Sequence, residues 1–224
     1  MLNEKILKGG RSTSEVVKIG ETVHRTCGLN SDFVHRVLLQ LEQNGFEYSP
    51  RYLGIDEKGR EILSYIDGEV PTGDHDWTMK QMIGVVHIMK ELHQATDNKI
   101  CHHDIAPWNV VLKNDVPIAL IDFDEVSTGD CIDDLAYFLW TFLELGSDKP
   151  IETQTQSIKV LCQEYGYKDG KKLTEKILEQ QRLILEMRIE KSKTDSFSAE
   201  AVGRIKNEIT WVEENRKKLE SIAF

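Results

Sequence analysis

Residues 100–124 constrain this chain most, because they combine two short apolar runs with polar residues at defined places. The runs at 110–112 and 118–121 have the length and character of buried strands. Residues 113–115 between them, Lys-Asn-Asp, are typical of a tight turn. The stretch is therefore predicted to form a hairpin of two buried strands.

Three polar side chains flank this predicted hairpin. Pairing of its strands would bring Asn109 and Asp122 to the same end, with Asp104 at the mouth of the preceding loop. Mg²⁺ prefers oxygen ligands and usually shares them with nucleotide phosphates. Asn109 and Asp122 supply such oxygens, which leaves Asp104 to accept a hydroxyl proton. The spacing thus favours phosphoryl transfer, with Asp104 as the catalytic base and Asn109 and Asp122 as Mg²⁺ ligands.

The order His-x-Asp-x-x-x-x-Asn, followed by Asp-Phe-x, resembles the catalytic and metal motifs of the kinase fold. The residues within these motifs resemble those of the aminoglycoside phosphotransferase and choline kinase-like family more than those of the protein kinases. Protein kinases usually have Arg before the Asp and Gly after the Phe. The resembling family usually has Gly where this chain has His103. The resemblance covers about residues 5–145 with ordered motifs.

The resemblance implies an α+β, two-lobed protein kinase-like fold, with a small antiparallel-sheet lobe over a helical lobe. Residues 1–66 would form the nucleotide-binding lobe, and residues 67–224 the catalytic and substrate-binding lobe. The implied reaction is Mg²⁺-dependent transfer of the γ-phosphate of ATP or GTP to a hydroxyl of a small molecule. An aminoglycoside-like compound or an amino alcohol is the acceptor class that the family suggests.

The first sixty residues are expected to bind the nucleotide. A strand over 4–8 precedes a turn whose Gly9, Gly10 and Ser12 are placed to cover phosphates with backbone N–H groups. A hairpin over 16–25 follows. Arg25 is expected to face the phosphates in place of the family's Lys, with Lys18 as the alternative.

The family pairs its phosphate-binding Lys with a Glu on the next helix. That helix is predicted over 32–43, where His35 stands near the place of the Glu and Glu42 comes late. The pair is thus expected to be missing on both sides. This favours an alternative in which the fold serves as a catalytically silent nucleotide- or partner-binding protein. A protein kinase-like enzyme is disfavoured, because only a few residues separate Asp124 from the next helix.

The segment 61–66 is predicted to be a strand that ends at the passage between the lobes. In the kinase fold, backbone groups at this hinge bind the adenine. The main chain of Ser64, Tyr65 and Ile66 is therefore expected to contact the nucleotide base.

The remaining chain is expected to be largely helical. Thr78 and Gln81 form a capping-box pattern ahead of a helix to about residue 93. A buried helix is predicted over 131–145, where Asp134 would either brace the catalytic loop, as the family suggests, or simply stabilise the helix start. Further helices are predicted over 151–165, 171–193 and 198–221. Acidic residues of the last helix could contribute to acceptor binding: Glu200, Glu208, Glu213 and Glu214.

Composition agrees with a protein that acts on small molecules. The formal net charge of −10 argues against nucleic acid as a partner. It suits a cationic acceptor, but an acidic balance is also common in soluble cytoplasmic proteins, and that general explanation is favoured. No apolar run has the length needed to span a bilayer, so no membrane partner is expected. The four cysteines are scattered and form no pair motif. Reduced thiols in the cytoplasm are the expectation.

Overall fold

A five-stranded antiparallel sheet occupies the N-terminal part of the computed structural model, which describes residues 4–7, 16–73 and 75–222. The hairpin predicted near residue 20 is present, and Gly20 takes the positive φ of +60° that its turn requires. The spatial order is β1-β2-β3-β5-β4. The strands are β1 (Glu4–Ile6), β2 (Val17–Ile19), β3 (Thr22–Thr26), β4 (Tyr52–Ile55) and β5 (Arg60–Ser64).

Helix α1 (Ser31–Gln43) packs its apolar stripe into the core. Its buried side chains recur at three- and four-residue steps, as the sequence predicts. The helix ends where the N–H of Asn44 returns to the carbonyl of Gln40, and Gly45 follows with φ of +76°. The stripe consists of Val34, Val37, Leu38 and Leu41.

The passage from the sheet to the helical part is held against the predicted hairpin. Glu69 and Leu112 exchange two backbone hydrogen bonds of 2.9 and 2.8 Å. A Cβ atom at Gly68 would lie 2.5 Å from Val111 Cγ1 and 2.6 Å from the Leu112 carbonyl oxygen. Only glycine therefore permits this close approach of two backbones.

The hairpin itself forms as predicted, from β7 (Val110–Lys113) and β8 (Val116–Leu120). Its turn residues Asn114 and Asp115 both have positive φ, the conformation of the tight two-residue hairpin turn. A second two-stranded ladder joins β6 (Ile100–Cys101), just before the loop that carries Asp104, to β9 (Ser127–Thr128).

Helices build the rest of the structure. The capping box at Thr78 and Gln81 is present, and α3 is buried nearly all round, as predicted. The prediction of one helix over 198–221 is wrong, because Asn215 ends it: the Asn215 side chain donates to the carbonyl of Trp211. The helices are α2 (Met79–Ala95), α3 (Ile132–Leu143), α4 (Ile151–Tyr165), α5 (Gly170–Lys191), α6 (Ser196–Glu214) and α7 (Arg216–Glu220).

This arrangement confirms the predicted fold class, an antiparallel sheet with one helix beside a larger helical part. The lobe boundary between residues 66 and 67 stays a prediction. Within the described residues, none of the helices is both long enough and apolar enough to cross a membrane.

We expect Gly68→Ala to lower the free energy of unfolding by about 1–3 kcal/mol, because the added methyl group would overlap the backbone of β7. Urea unfolding measures the change. Gly73→Ala is the matched control, since a Cβ atom there meets nothing within 4 Å. Equal stability of the two variants would contradict the close approach at Gly68.

Candidate active site

The loop between β6 and β7 carries Asp104 and Asn109. It ends in a short 3₁₀ turn, Pro107–Asn109, which leads directly into β7. The Asn109 side-chain nitrogen donates to Asp104 twice, to the carbonyl oxygen at 2.9 Å and to Oδ2 at 2.7 Å. Because its nitrogen is committed to Asp104, the Oδ1 atom of Asn109 is the atom left for another partner.

Asp122 follows β8 and reaches the same end of the hairpin. The N–H of Ile121 donates to the carbonyl of Asn109 at 2.9 Å, which ties the two strand ends together. Asp122 has φ of +65°, and its side chain is 45% exposed. The negative charge of Asp122 helps to raise the pKa of Asp104. The structure thus brings Asp104, Asn109 and Asp122 together as the sequence predicts.

The environment of Asp104 changes its acidity. Burial raises the pKa of Asp104 to about 6, and the negative charge of Asp122 adds to this. Hydrogen bonds from Tyr137 and Asn109 favour the charged form and oppose the rise. Asp104 therefore stays largely ionised at neutral pH, with a pKa well matched to a proton acceptor.

Asp134 of α3 braces this loop, so the first of its two predicted roles is confirmed. Its two carboxylate oxygens accept the backbone N–H groups of His102 at 2.8 Å and His103 at 2.6 Å. The buried His93 ring of α2 lies 2.8 Å from Asp134 and, through its other nitrogen, 2.8 Å from the Tyr165 hydroxyl. One buried carboxylate thus joins α2, α3 and the catalytic loop.

His102 and His103 differ in role. His102 is fully buried, and its Nδ1 accepts the Asp104 N–H at 3.3 Å, so this side chain helps to hold the loop. Burial lowers the pKa of His102 to about 4. His103 takes φ of +62°, a left-handed conformation in which the resembling family usually has Gly. A side chain there costs about 1 kcal/mol relative to glycine.

Arg25 reaches the site from β3. Its Nη1 lies 3.3 Å from Asp122 Oδ1, and its guanidinium also pairs with Asp124. Burial disfavours its charge, but Asp124, Glu61 and Asp122 outweigh this and raise the pKa of Arg25. His24 points to the opposite face of β3, where it contacts Asp56.

Lys18, the alternative to Arg25, lies elsewhere. Its Nζ sits 3.2 Å from the centre of the Tyr65 ring, a cation–π contact. This contact leaves Arg25 as the cation beside the acidic side chains.

The family's Lys and the Glu in the first turns of its helix are both absent, as expected, yet Arg25 has a carboxylate partner from another element. Arg25 Nε donates to Glu61 Oε1 at 2.6 Å, and the partner comes from β5 instead of the helix. Sequence reasoning missed Glu61, although β3 and β5 pair with Arg25 directly opposite Glu61. Glu61 directly follows Arg60 at the end of a charged stretch, so the local sequence carried no signal that pointed to it.

The predicted base-binding segment is partly engaged in the sheet. The N–H groups of Ser64 and Tyr65 donate to the carbonyls of Arg51 and Glu21, each at 2.9 Å. A contact of these two residues with adenine would therefore use their carbonyl oxygens. Gly9, Gly10 and Ser12 lie outside the described residues.

Comparison with known proteins agrees with this geometry. Residues 86–158 match the model of the phosphotransferase enzyme family. An ADP-bound aminoglycoside phosphotransferase, APH(2″)-Ib, superposes with a TM-score of 0.58 at 13% identity, over 95% of this chain and 94% of that one. A microcompartment-associated aminopropanol kinase reaches 0.69 at 12% identity, over 98% and 94%. The chain shares the protein kinase-like fold of these structures.

Two further relatives extend the comparison. An ethanolamine kinase of Plasmodium vivax has a TM-score of 0.65 at 10% identity, over 98% of this chain and 83% of that one. A trifolitoxin immunity protein of Rhizobium leguminosarum bv. trifolii is 29% identical over 172 residues, 66% of this chain. The match spans 65% of that relative's length. The resemblance inferred from the motifs is confirmed.

The four acidic residues of α6 differ in burial and in partners, and their contribution to acceptor binding stays a prediction. Glu208 accepts a hydrogen bond from Trp140 Nε1 at 3.0 Å, and burial raises the pKa of Glu208. Glu213 pairs with Arg182 at 2.6 Å, while Glu200 and Glu214 are exposed. Of the four, Glu208 alone is partly buried.

We expect the contribution of the Asp134–His93 contact to stability to decrease at alkaline pH. Burial opposes the charge of His93, but hydrogen bonds to Asp134 and Cys131 raise its pKa from 6.5 to about 9. The stabilisation is complete below the unfolded-state value and is lost as pH rises through the folded-state value. The contribution of His93, measured by urea unfolding as the difference between wild type and His93→Gln, should therefore fall by about 3 kcal/mol between about pH 6.5 and about pH 9.5.

His93→Gln should remove most of this loss, whereas His87→Gln on the same helix should retain it. His87 is half exposed and contacts Glu164 on the surface. Parallel pH profiles for the wild type and His93→Gln would show that His93 is not charged in the folded protein.

Proposed function

We propose that the protein is a Mg²⁺-dependent phosphotransferase that moves the γ-phosphate of ATP or GTP to a hydroxyl of a small molecule. The observation that carries this proposal is the convergence of Asp104, Asn109 and Asp122 at one end of the hairpin, with Arg25 facing them from the sheet. The shared fold with aminoglycoside and amino-alcohol kinases supports it.

Asp104 is the proposed catalytic base. It would accept the proton of the acceptor hydroxyl and aim that oxygen at the γ-phosphate. Asn109 holds the Asp104 carboxylate at 2.7 Å, and Tyr137 donates a further hydrogen bond to it. Both contacts fix the orientation of the base, and positioning supplies much of the rate in this type of chemistry.

Asn109 and Asp122 are the proposed Mg²⁺ ligands. An amide oxygen and a half-exposed carboxylate are hard donors, and their chemistry fits this ion. Mg²⁺ bound here would neutralise charge on the transferring phosphate. Arg25 would exchange its long contact to Asp122 for the phosphates, since a guanidinium can bind them in a bidentate manner.

The nucleotide-binding role of Gly9, Gly10, Ser12 and the main chain of 64–66 remains part of the proposal. The proposed acceptor is an aminoglycoside-like compound or an amino alcohol, and a cationic one suits the net charge of −10. The relative named for trifolitoxin immunity supports adding toxin-type acceptors to a screen. A cytoplasmic site of action, with neither nucleic acid nor membrane as a partner, completes the proposal.

A catalytically silent nucleotide- or partner-binding protein is the second candidate. One observation favours it: Arg25 occupies Asp122, the same side chain that is proposed to hold the metal. The experiment below separates the two candidates, because it measures binding and turnover independently.

We expect Asp104→Asn to lower kcat by about 10²–10⁴-fold while nucleotide affinity stays within about twofold of wild type. Asp122→Asn should instead abolish the Mg²⁺-dependent part of nucleotide binding. Calorimetric titration with ATP and GTP, each with and without Mg²⁺, measures affinity. Phosphate transfer to a panel of amino alcohols and aminoglycosides measures turnover.

Nucleotide binding with no turnover on any acceptor would support the silent alternative. Unchanged turnover in Asp104→Asn would remove that residue as the base. Absence of nucleotide binding in every condition would overturn the proposed function.

We further expect kcat/KM to fall about tenfold per pH unit below about pH 6, because Asp104 must be ionised to accept a proton and its pKa is about 6. Tyr137→Phe removes a hydrogen bond that lowers this pKa. The acid limb of its pH–rate profile should therefore move to higher pH. A limb that stays in place would show that another group controls it.

A further inference from the structure

Glu61 is an acidic side chain in the interior of the sheet part. It lies on β5 directly opposite Arg25, and its side chain is only 2% exposed. Oε1 accepts a hydrogen bond from Arg25 Nε at 2.6 Å, and Oε2 faces His35 Nε2 at 2.8 Å. A buried carboxylate is costly unless its oxygens are paired. Both oxygens are paired here, one by β3 and one by α1.

Two contacts, one with Tyr52 and one with Glu61, fix the position of the His35 side chain. Its ring stacks on Tyr52 of β4, with centroids 3.8 Å apart and planes inclined by 15°. A carboxylate only accepts hydrogen bonds, so the contact with Glu61 requires a hydrogen on His35 Nε2. Stacking on Tyr52 therefore restricts rotation of the ring and keeps the Nε2–H group of His35 directed at Glu61.

The two edges of the Arg25 guanidinium face different surroundings. The Nε edge is held by Glu61 within the sheet part. The terminal nitrogens point across the cleft to Asp122 and Asp124 of the helical part. Without a charge at Glu61, Asp122 and Asp124 would be the acids left to attract Arg25 within the described part of the chain, and its contact with Asp122 would compete with a metal ion there.

We propose that Glu61 and His35 are positioning residues for Arg25. Glu61 supplies, from a strand, the charge that the related enzymes place on the helix, and His35 connects helix α1 to that charge. The pair keeps the terminal nitrogens of Arg25 available for phosphate. This inference rests on the proposed function, because it assumes that Arg25 binds nucleotide phosphates.

The test is calorimetric titration of the full chain with ATP and with GTP in the presence of Mg²⁺. His35→Leu should weaken the affinity about tenfold, the effect typical of losing a hydrogen bond to a charged group. His35→Gln keeps a side-chain donor and should restore most of the affinity. His87→Gln is the matched control and should bind as wild type does. Thermal melts identify any variant whose loss is caused by unfolding.

A double-mutant cycle distinguishes positioning from a purely structural role. In an Arg25→Gln background, His35→Leu should change the affinity by no more than about twofold, because its effect acts through Arg25. A loss of equal size in both backgrounds would overturn the proposal. An affinity within about twofold of wild type for His35→Leu alone would also overturn it, while leaving the proposed function intact.

Charge relocation provides an independent test. Glu61→Gln should weaken Mg²⁺-nucleotide binding, and the double variant Glu61→Gln/His35→Glu should recover part of it by returning the carboxylate to α1. No recovery, in a double variant that melts as wild type does, would overturn the assignment of His35. Absence of nucleotide binding by the wild-type protein would overturn both this inference and the proposed function.

Discussion

The buried carboxylate of Asp134 is the interaction on which the site depends. It is fully inaccessible to solvent and accepts two backbone N–H groups of the catalytic loop together with the His93 ring. A charge in such a place is tolerated because several donors surround it. The same contacts set the course of the loop just before Asp104. The geometry of the proposed base therefore follows from a residue that lies outside the cleft.

A second charged network joins the two parts of the molecule. Arg25 contacts Glu61 on its own side and Asp122 and Asp124 on the other. These contacts place one cation among three acids, in a region where nucleotide phosphates would bring further negative charge. Attraction from Glu61 on one side and from Asp122 and Asp124 on the other holds the Arg25 side chain in the cleft. The carboxylate comes from a strand because β3 and β5 pair with Glu61 directly opposite Arg25.

Much of the architecture was predictable because it is encoded locally. Apolar periodicity located α1, a run that is apolar nearly all round located α3, and the capping box placed the start of α2. The break between α6 and α7 was not predictable from periodicity, since the apolar stripe continues across Asn215. The break lies at Asn215, whose backbone and side-chain N–H groups both donate to the Trp211 carbonyl.

The sequence by itself determined that Asp104, Asn109 and Asp122 lie near one end of the hairpin. Two short apolar strands joined by a tight turn leave few other arrangements for them. Only the tertiary structure decided the partner of Arg25. Glu61 is 36 residues away along the chain, and its position depends on which strands become neighbours and in what register. The acidity of Asp104 was likewise decided by the fold, since burial is a property of the packed molecule and not of the local sequence.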